Sequence, residues 1–436
     1  MKKIFNSVFI IALAGLSSCN QEYLNPSAAS QSQVIKDVNG LLTLANGLQY
    51  KYSISQVSPN YNLPTASGLL TKELLNLNAG NTSEQKLMEG GVGVLGSNAV
   101  LSNLWGASQL IRSNADLILD NLSVVADKET KRALQAHASI FKALALGNLA
   151  LFWEQAPITT ANNAPFVPRL DVLKAAIRTL DSAKVELAKS PVSKYFADKV
   201  VSGINYANTI NALIARFAMI AGDYDKALSA ASSVNIAPKD IASKSFFSHD
   251  DLTRNVLFEV SFSNRNLTEP WDNKFGLPAE LQTPASDSRI GFFFNPEGGT
   301  GSTNRGKAGF FASNSSPLPF YRIGEMRLIK AEANVRKSPP DLNAAVAELN
   351  EVLTKKPSED AWGIGAEQPA YSGNMTAKDI LTEIYRQRCI ELYLTGLRLE
   401  DSRRFNRPES ERGRNFLPYP FSERDNNINT PPDPVF

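Results

Sequence analysis

"NALIARFAMIAGDYDKALSAASSV", residues 211–234, decides the fold. Ile214, Phe217 and Ile220 recur at helical spacing and form one apolar face, while Tyr224, Ala227, Leu228 and Ala231 form a second. Gly222 and Asp223 separate the two. The glycine relieves the backbone at a tight corner, and the Asp223 carboxylate stands where it can cap the helix that follows. Ala227, three residues after Tyr224, is small enough to let two helices cross closely. The stretch predicts a helix hairpin.

The order of a small residue, Gly-Asp-Tyr and then Ala matches the middle of a tetratricopeptide unit. A weaker copy occupies residues 321–353, "YRIGEMRLIKAEANVRKSPPDLNAAVAELNEVL". Its first helix closes near Ser338, since Pro339 and Pro340 forbid continuation, and Leu342, Val346, Leu349 and Val352 face inward on its second. Stacks of such hairpins need about three repeats. Residues 104–153 and 172–189 supply the others: Leu104, Leu110, Ile111, Ile118 and Leu122 lie along one stripe, and Ala133, Ala136 and Ala143 permit close helix approach. The expected fold class is mainly α, with tetratricopeptide-like helix-hairpin repeats, long irregular loops and a few short β pieces. Residues 236–320 form a loop-rich insertion between the repeats, in which only "NVLFEVSF" (255–262) alternates like a strand.

The N-terminus reads differently. "MKKIFNSVFIIALAGLSSCN" has two lysines, an apolar run and small residues before Cys19, the order of a secretory signal. Leu16, Ser17 and Ser18 before Cys19 match the lipobox of bacterial lipoproteins, so residues 1–18 are expected to be a removed signal and Cys19 the site of lipid attachment. Several acyl chains, at about 0.8 kcal/mol per buried CH₂, anchor a protein durably to a membrane. Residues 19–32 are polar and small and read as a flexible tether to a single helical domain over 33–436.

With 43% hydrophobic and 20% charged residues, the chain has a globular composition. Its 45 basic and 43 acidic residues give a formal charge of +2, which becomes zero when Lys2 and Lys3 leave with the signal. That balance argues against nucleic acid and against electrostatic membrane docking. Cys389 has no intramolecular partner once Cys19 is acylated, and His137 and His249 are too far apart in sequence to suggest a metal site or a hydrolytic triad. Both histidines read as a helix-surface residue and a loop residue, and no metal or cofactor is expected.

The most charged stretch is "GLRLEDSRRF", residues 396–405, within "AKDILTEIYRQRCIELYLTGLRLEDSRRF" (377–405). Ile380, Ile384, Leu392 and Leu397 point to a core. Arg388 precedes Glu391 by three, Glu400 precedes Arg404 by four, and Asp401 precedes Arg404 by three, spacings at which helix side chains meet. So many guanidiniums, Arg398 among them, would lower carboxyl pKa values rather than raise one for catalysis. The stretch therefore reads as a structural salt-bridge network.

The order of "YRIGEMRLIKAEANVR" (321–336), "AVAELNEVL" (345–353), "IYRQRCIELYLTGLRLEDSRRFNRP" (384–408) and "FLPYPFSERDNN" (416–427) resembles the SusD-like (RagB/SusD) outer-membrane lipoproteins of Bacteroidetes. The likeness spans nearly the whole chain and is most specific after Tyr321. Thr395, Ser402 and Phe405 depart from the family pattern, and the chain is short for the family. The resemblance implies a helical, cell-surface lipoprotein anchored in the outer membrane, which caps a SusC-like TonB-dependent barrel and captures oligosaccharides, or in some members peptides, for import. It implies no catalysis.

Glycan recognition stacks sugar faces on exposed aromatics and fixes hydroxyls with planar polar groups. The loop candidates are Tyr61 with Asn62, and Trp271 with Asp272 and Asn273. Phe292, Phe293 and Phe294 read as packing for a β piece or a contact with the barrel. The proline-rich residues 415–436 read as an extended strap. Two rivals remain. A secreted hydrolase could use Glu325 and Glu332, seven apart on one helix and about 10 Å apart by helix rise, but glycosidases bring their acids from separate elements to roughly 5 to 9 Å. Buried pairing with arginines of the C-terminal helices explains both acids more simply. A protein-binding repeat scaffold is the other.

Overall fold

The structure, a computed structural model, describes residues 35–236, 244–262, 267–294 and 309–435. The signal, Cys19 and the tether lie outside these residues. Side-chain caps start most of the long helices, each answering N–H groups that a helix start leaves unpaired. Asp37 caps α1 (Val38–Ser53) by accepting from the Asn39 and Gly40 amides. Ser58 and Pro59 open α2 (Pro59–Leu70), which leads to β1 (Leu74–Asn76) and α3 (Thr82–Glu89). Asn98 and Asp127 cap α4 (Ala99–Asp120) and α5 (Lys128–Phe152). After β2 (Gln155–Pro157) and β3 (Phe166–Pro168) come α6 (Arg169–Leu187) and the short α7 (Lys194–Ala197).

The stretch 211–234 forms the hairpin of α8 (Tyr206–Ala221) and α9 (Tyr224–Ser232). Gly222 sits at φ +81°, a left-handed conformation that costs glycine little, and the Asp223 carboxylate accepts from the Lys226 amide. The insertion contributes β4 (Phe246–Phe247), β5 (Thr268–Pro270), α10 (Ser288–Phe293) and β6 (Leu318–Pro319). The second hairpin is α11 (Ile323–Arg336) with α12 (Leu342–Leu353), and α13 (Ala377–Glu391), α14 (Arg398–Arg404) and α15 (Phe421–Asn426) complete the order.

Each helix of the stack packs on the next: α4 on α5, α5 on α6, α6 on α8, α8 on α9, α9 on α11, and α11 on α12 and α13. The fold is mainly α, and its strands form three two-stranded antiparallel pairs among the described residues, β1 with β5, β2 with β3 and β4 with β6. One large core runs through α1 to α9 and the aromatic residues of the insertion. A smaller one fills the space among α11, α12 and α13 with Leu328, Ala331, Leu349, Val352, Ile380 and Ile384.

Several expectations need correction. Leu110 is 43% exposed, off the buried stripe of Leu104, Ile111 and Ile118. His137 is not on a helix surface; it is fully buried, bonded through Nε2 to the Ala45 carbonyl and through Nδ1 to the Tyr206 hydroxyl, and burial pushes its pKa down to about 4. Residues 257–262 do not form a strand but a π-helical turn. The Asn255 carboxamide explains this: it accepts from the Leu257 and Phe258 amides and donates to the Phe310 and Ser316 carbonyls, winding the chain at its start. Phe293 ends α10 rather than lining a strand, and packs with Phe294 on Phe275 and Tyr393.

The C-terminal strap crosses α4 and α5. The Leu417 amide donates to the Phe152 carbonyl, Trp153 Nε1 donates to the Pro418 carbonyl, and the Tyr419 ring meets Trp105 and Phe166 edge-on. It is not extended throughout, because Phe421–Asn426 turn into α15. Among the described residues no helix is long and apolar enough to cross a membrane.

Candidate ligand-binding surface

Trp271 is held outward by a rigid platform. β1 and β5 pair with Leu74 opposite Pro270 and Asn76 opposite Thr268, and just past the ladder the Trp271 amide donates to the Glu73 carbonyl at 3.2 Å. The Asp272 carboxylate then accepts from the Lys274 and Gly276 amides, both at 2.8 Å, closing a tight turn. Gly276 has φ +62° and lies so close to Lys72 that a Cβ there would overlap the Lys72 carbonyl oxygen. Phe275 drives its ring inward, fully buried against Phe293, Phe294 and Tyr393, and its carbonyl accepts from Arg398. The result is a solvent-facing indole, 37% exposed, with Asn273 exposed beside it and Asp272 occupied within the turn.

The other pair lies elsewhere. Tyr61 and Asn62 are in α2, not in a loop, and both are buried. The Tyr61 hydroxyl donates to Glu84 at 3.2 Å, and Asn62 Nδ2 donates to the Gln56 and Ser58 carbonyls, bracing the start of the helix. Neither presents a face to solvent for a sugar to stack on. Their local composition, "SPNYNLP", reads as loop, yet Pro59 at the first helical position is compatible with a helix start.

Beneath the surface runs the ionic network. Asp401 accepts two bonds from Arg388, at 2.9 and 3.0 Å, and pairs also with Arg404, which reaches on to Glu332. Glu332 accepts from Arg336 at 2.8 Å. Glu400 receives Arg169 and Arg403, each at 2.5 Å, so its partner four residues on, Arg404, is not the one it bonds. Glu391 pairs with Arg289 and Lys355 rather than with Arg388, and Arg398 bonds a carbonyl instead of an acid. Glu325 pairs with Arg216 of α8, at 2.6 and 2.7 Å, not with an arginine of the C-terminal helices. Burial opposes ionisation of Asp401 and Glu400, but the guanidiniums around them more than offset it and hold both carboxyls below their ordinary range.

Sequence reasoning passed over Glu73. Its carboxylate is 1% exposed, with Oε1 accepting from the Leu394 amide, and burial pushes its pKa up to about 7 against the pull of Arg398. Also unforeseen is an internal cavity of about 90 Å³ where α1, α2, α5, α8 and residues 318–322 meet. Leu144, Leu151, Phe217 and Phe247 form apolar walls; Tyr52, Asn60, Asn148, Arg216, Arg322 and Glu325 interrupt them. No sequence signal joins residues so far apart.

A model of the SusD family matches residues 304–430. Solved structures match over most of the chain: a SusD superfamily protein from Bacteroides vulgatus is 15% identical, with 92% of this chain and 99% of that one covered and a TM-score of 0.70. A SusD superfamily protein from Bacteroides fragilis is 15% identical over 91% and 99% of the two chains, with a TM-score of 0.69. A SusD-like carbohydrate binding protein from Bacteroides vulgatus is 15% identical over 85% and 84%, with a TM-score of 0.65. No curated protein sequence matches the chain.

Proposed function

We propose that the chain is a member of the SusD-like family, supported by the family match over residues 304–430 and the shared fold, and that it captures oligosaccharide at the cell surface and passes it to a SusC-like TonB-dependent outer-membrane transporter. In this reading Cys19 carries the lipid that holds the protein in the outer membrane, and the folded body remains in water. The observation that carries the proposal is the Trp271 platform. A tryptophan whose backbone is held by an Asx turn, a two-stranded ladder and a buried phenylalanine next to it offers an exposed flat apolar face on a fixed support. Asn273 stands next to it to bond hydroxyls. Stacking of this kind needs no bond to break, and the reading includes no catalysis.

The carboxylates considered for a hydrolase support that view. Glu325 and Glu332 are buried in separate arginine pairs, and only Glu325 lines the internal cavity. The test is recovery from membranes. Outer membranes solubilised in a gentle detergent should yield this chain together with a large β-barrel, and the purified protein should bind glycans of a panel without cleaving them. Isolation of the chain alone, or turnover abolished by Glu332→Gln, would overturn the reading. Saturable binding of peptides but of no glycan would replace the cargo class while leaving the transport role.

A further inference from the structure

The internal cavity has a composition that apolar packing does not explain. Three buried nitrogens on its lining residues have no hydrogen-bond partner among the described residues: Asn60 Nδ2, Asn148 Nδ2 and Arg322 Nε. All three are donors. Asn148 is 3% exposed, and its oxygen already accepts from the Tyr52 hydroxyl at 3.2 Å, which turns the amide nitrogen to the other side. Arg322 is also 3% exposed; its other nitrogens donate to the Glu391 and Tyr393 carbonyls, and no carboxylate lies within ion-pair distance of it among the described residues. The Phe293 and Phe310 rings close over its guanidinium.

The charges around it are committed elsewhere. Glu325, on the same cavity wall, is held by Arg216. Glu391 is shared by Arg289 and Lys355, and Asp360 is bonded by Lys355. Glu73, which also influences Arg322, has its ionised form disfavoured by burial. A buried guanidinium whose hydrogen bonds among the described residues go only to carbonyls, together with two unpartnered amide nitrogens, is a donor set that favours negative charge. About 90 Å³ of free volume is several times the room one water needs and suits an ion of few atoms, not a sugar ring. Asn60, Leu63, Arg216, Pro319 and Thr395 are the partly exposed lining residues, so the route inward passes among them.

We propose that this cavity binds one small monovalent anion, a halide or a carboxylate group, between Arg322, Asn148 and Asn60. The site is separate from the Trp271 surface and does not depend on the transport reading. Two sources share this chemistry: a free ion from solution, and the carboxylate of an organic acid small enough to enter.

Bromide is the probe. Crystals of the protein soaked in sodium bromide should show an anomalous peak in the cavity within hydrogen-bond reach of Arg322 Nε and Asn148 Nδ2. In Asn148→Asp, which keeps the shape but places a second negative charge there, that peak should vanish while bromide sites on the outer surface persist. Acetate added in excess separates the sources: displacement of the peak assigns the site to carboxylates as well, and retention assigns it to halides. Ordered water in place of an anomalous peak, or a peak of unchanged height in Asn148→Asp, would overturn the proposal. Should Asn148→Asp fail to crystallise, thermal midpoints in solution serve: the midpoint of the wild type should rise relative to that of Asn148→Leu as sodium bromide is added, since general salt effects act on both alike. A difference between the two that bromide leaves unchanged would also overturn it.

Discussion

Arg388 and Asp401 show how much of this protein's ionic chemistry lies inside it. Both are 3% exposed or less and meet through two parallel bonds, so removing the cation leaves Asp401 with Arg404 alone in a dry interior. Arg388→Met should cost about 3 to 5 kcal/mol of stability in urea unfolding, the usual penalty for stranding a buried charge. Two carboxyl populations shape the pH profile in opposite directions. Asp401 and Glu400 have depressed folded pKa values, so the stability they contribute is present above their unfolded values near pH 4 and is lost as pH falls further. Glu73 is raised from 4.5 to about 7, so what it contributes is complete below pH 4.5 and is lost as pH rises toward 7. Stability should peak near pH 5, and Glu73→Gln should abolish the decline between pH 4.5 and 7, worth on the order of 3 kcal/mol. An unchanged slope in Glu73→Gln would remove Glu73 as its source. At this scale the sequence reveals that the charges are structural but not who pairs with whom. Spacing on a helix finds Asp401 with Arg404, whereas Arg169 reaches Glu400 across 231 residues and Arg216 reaches Glu325 across 109.

Elements whose signal is local were legible. Gly222 and Asp223 define the α8–α9 corner by their own backbone and side-chain chemistry, and the structure has both the left-handed glycine and the aspartate cap. Elements decided by distant partners were not. The apolar alternation of 255–262 suits a strand, but Asn255 bonds to residues 310 and 316 and winds the chain into a turn. Tyr61 reads as a loop candidate, yet it lies buried within α2 with its hydroxyl bonded to Glu84. The 271–276 turn is the element on which the proposed binding rests. Gly276→Ala would force a side chain into a left-handed backbone and against the Lys72 carbonyl, so it should lose more than about 1 kcal/mol of stability and loosen Trp271. Thermal unfolding and indole fluorescence quenching would report both; a variant matching the wild type in each would show that the turn does not depend on this glycine.

The whole molecule is a helix stack closed by its own C-terminus. Residues 415–435 cover Trp105 and Trp153, with the Trp105 indole N–H bonded to Glu423 and that of Trp153 to the Pro418 carbonyl. Truncation after Asn415 should expose both indoles and yield an aggregating chain; a soluble, cooperative product would mean that the strap is dispensable. The stack itself was readable from helical periodicity, while the proposed binding surface was readable only as a tryptophan in a loop, because its platform is assembled from β1, β5 and the 271–276 turn that follows β5. The account stands most directly on one titration. Calorimetry of the purified protein against the glycan that binds it should give a single saturable isotherm, weakened at least about tenfold by Trp271→Ala with no change in thermal midpoint. Identical affinity in wild type and Trp271→Ala would contradict the assignment of this surface.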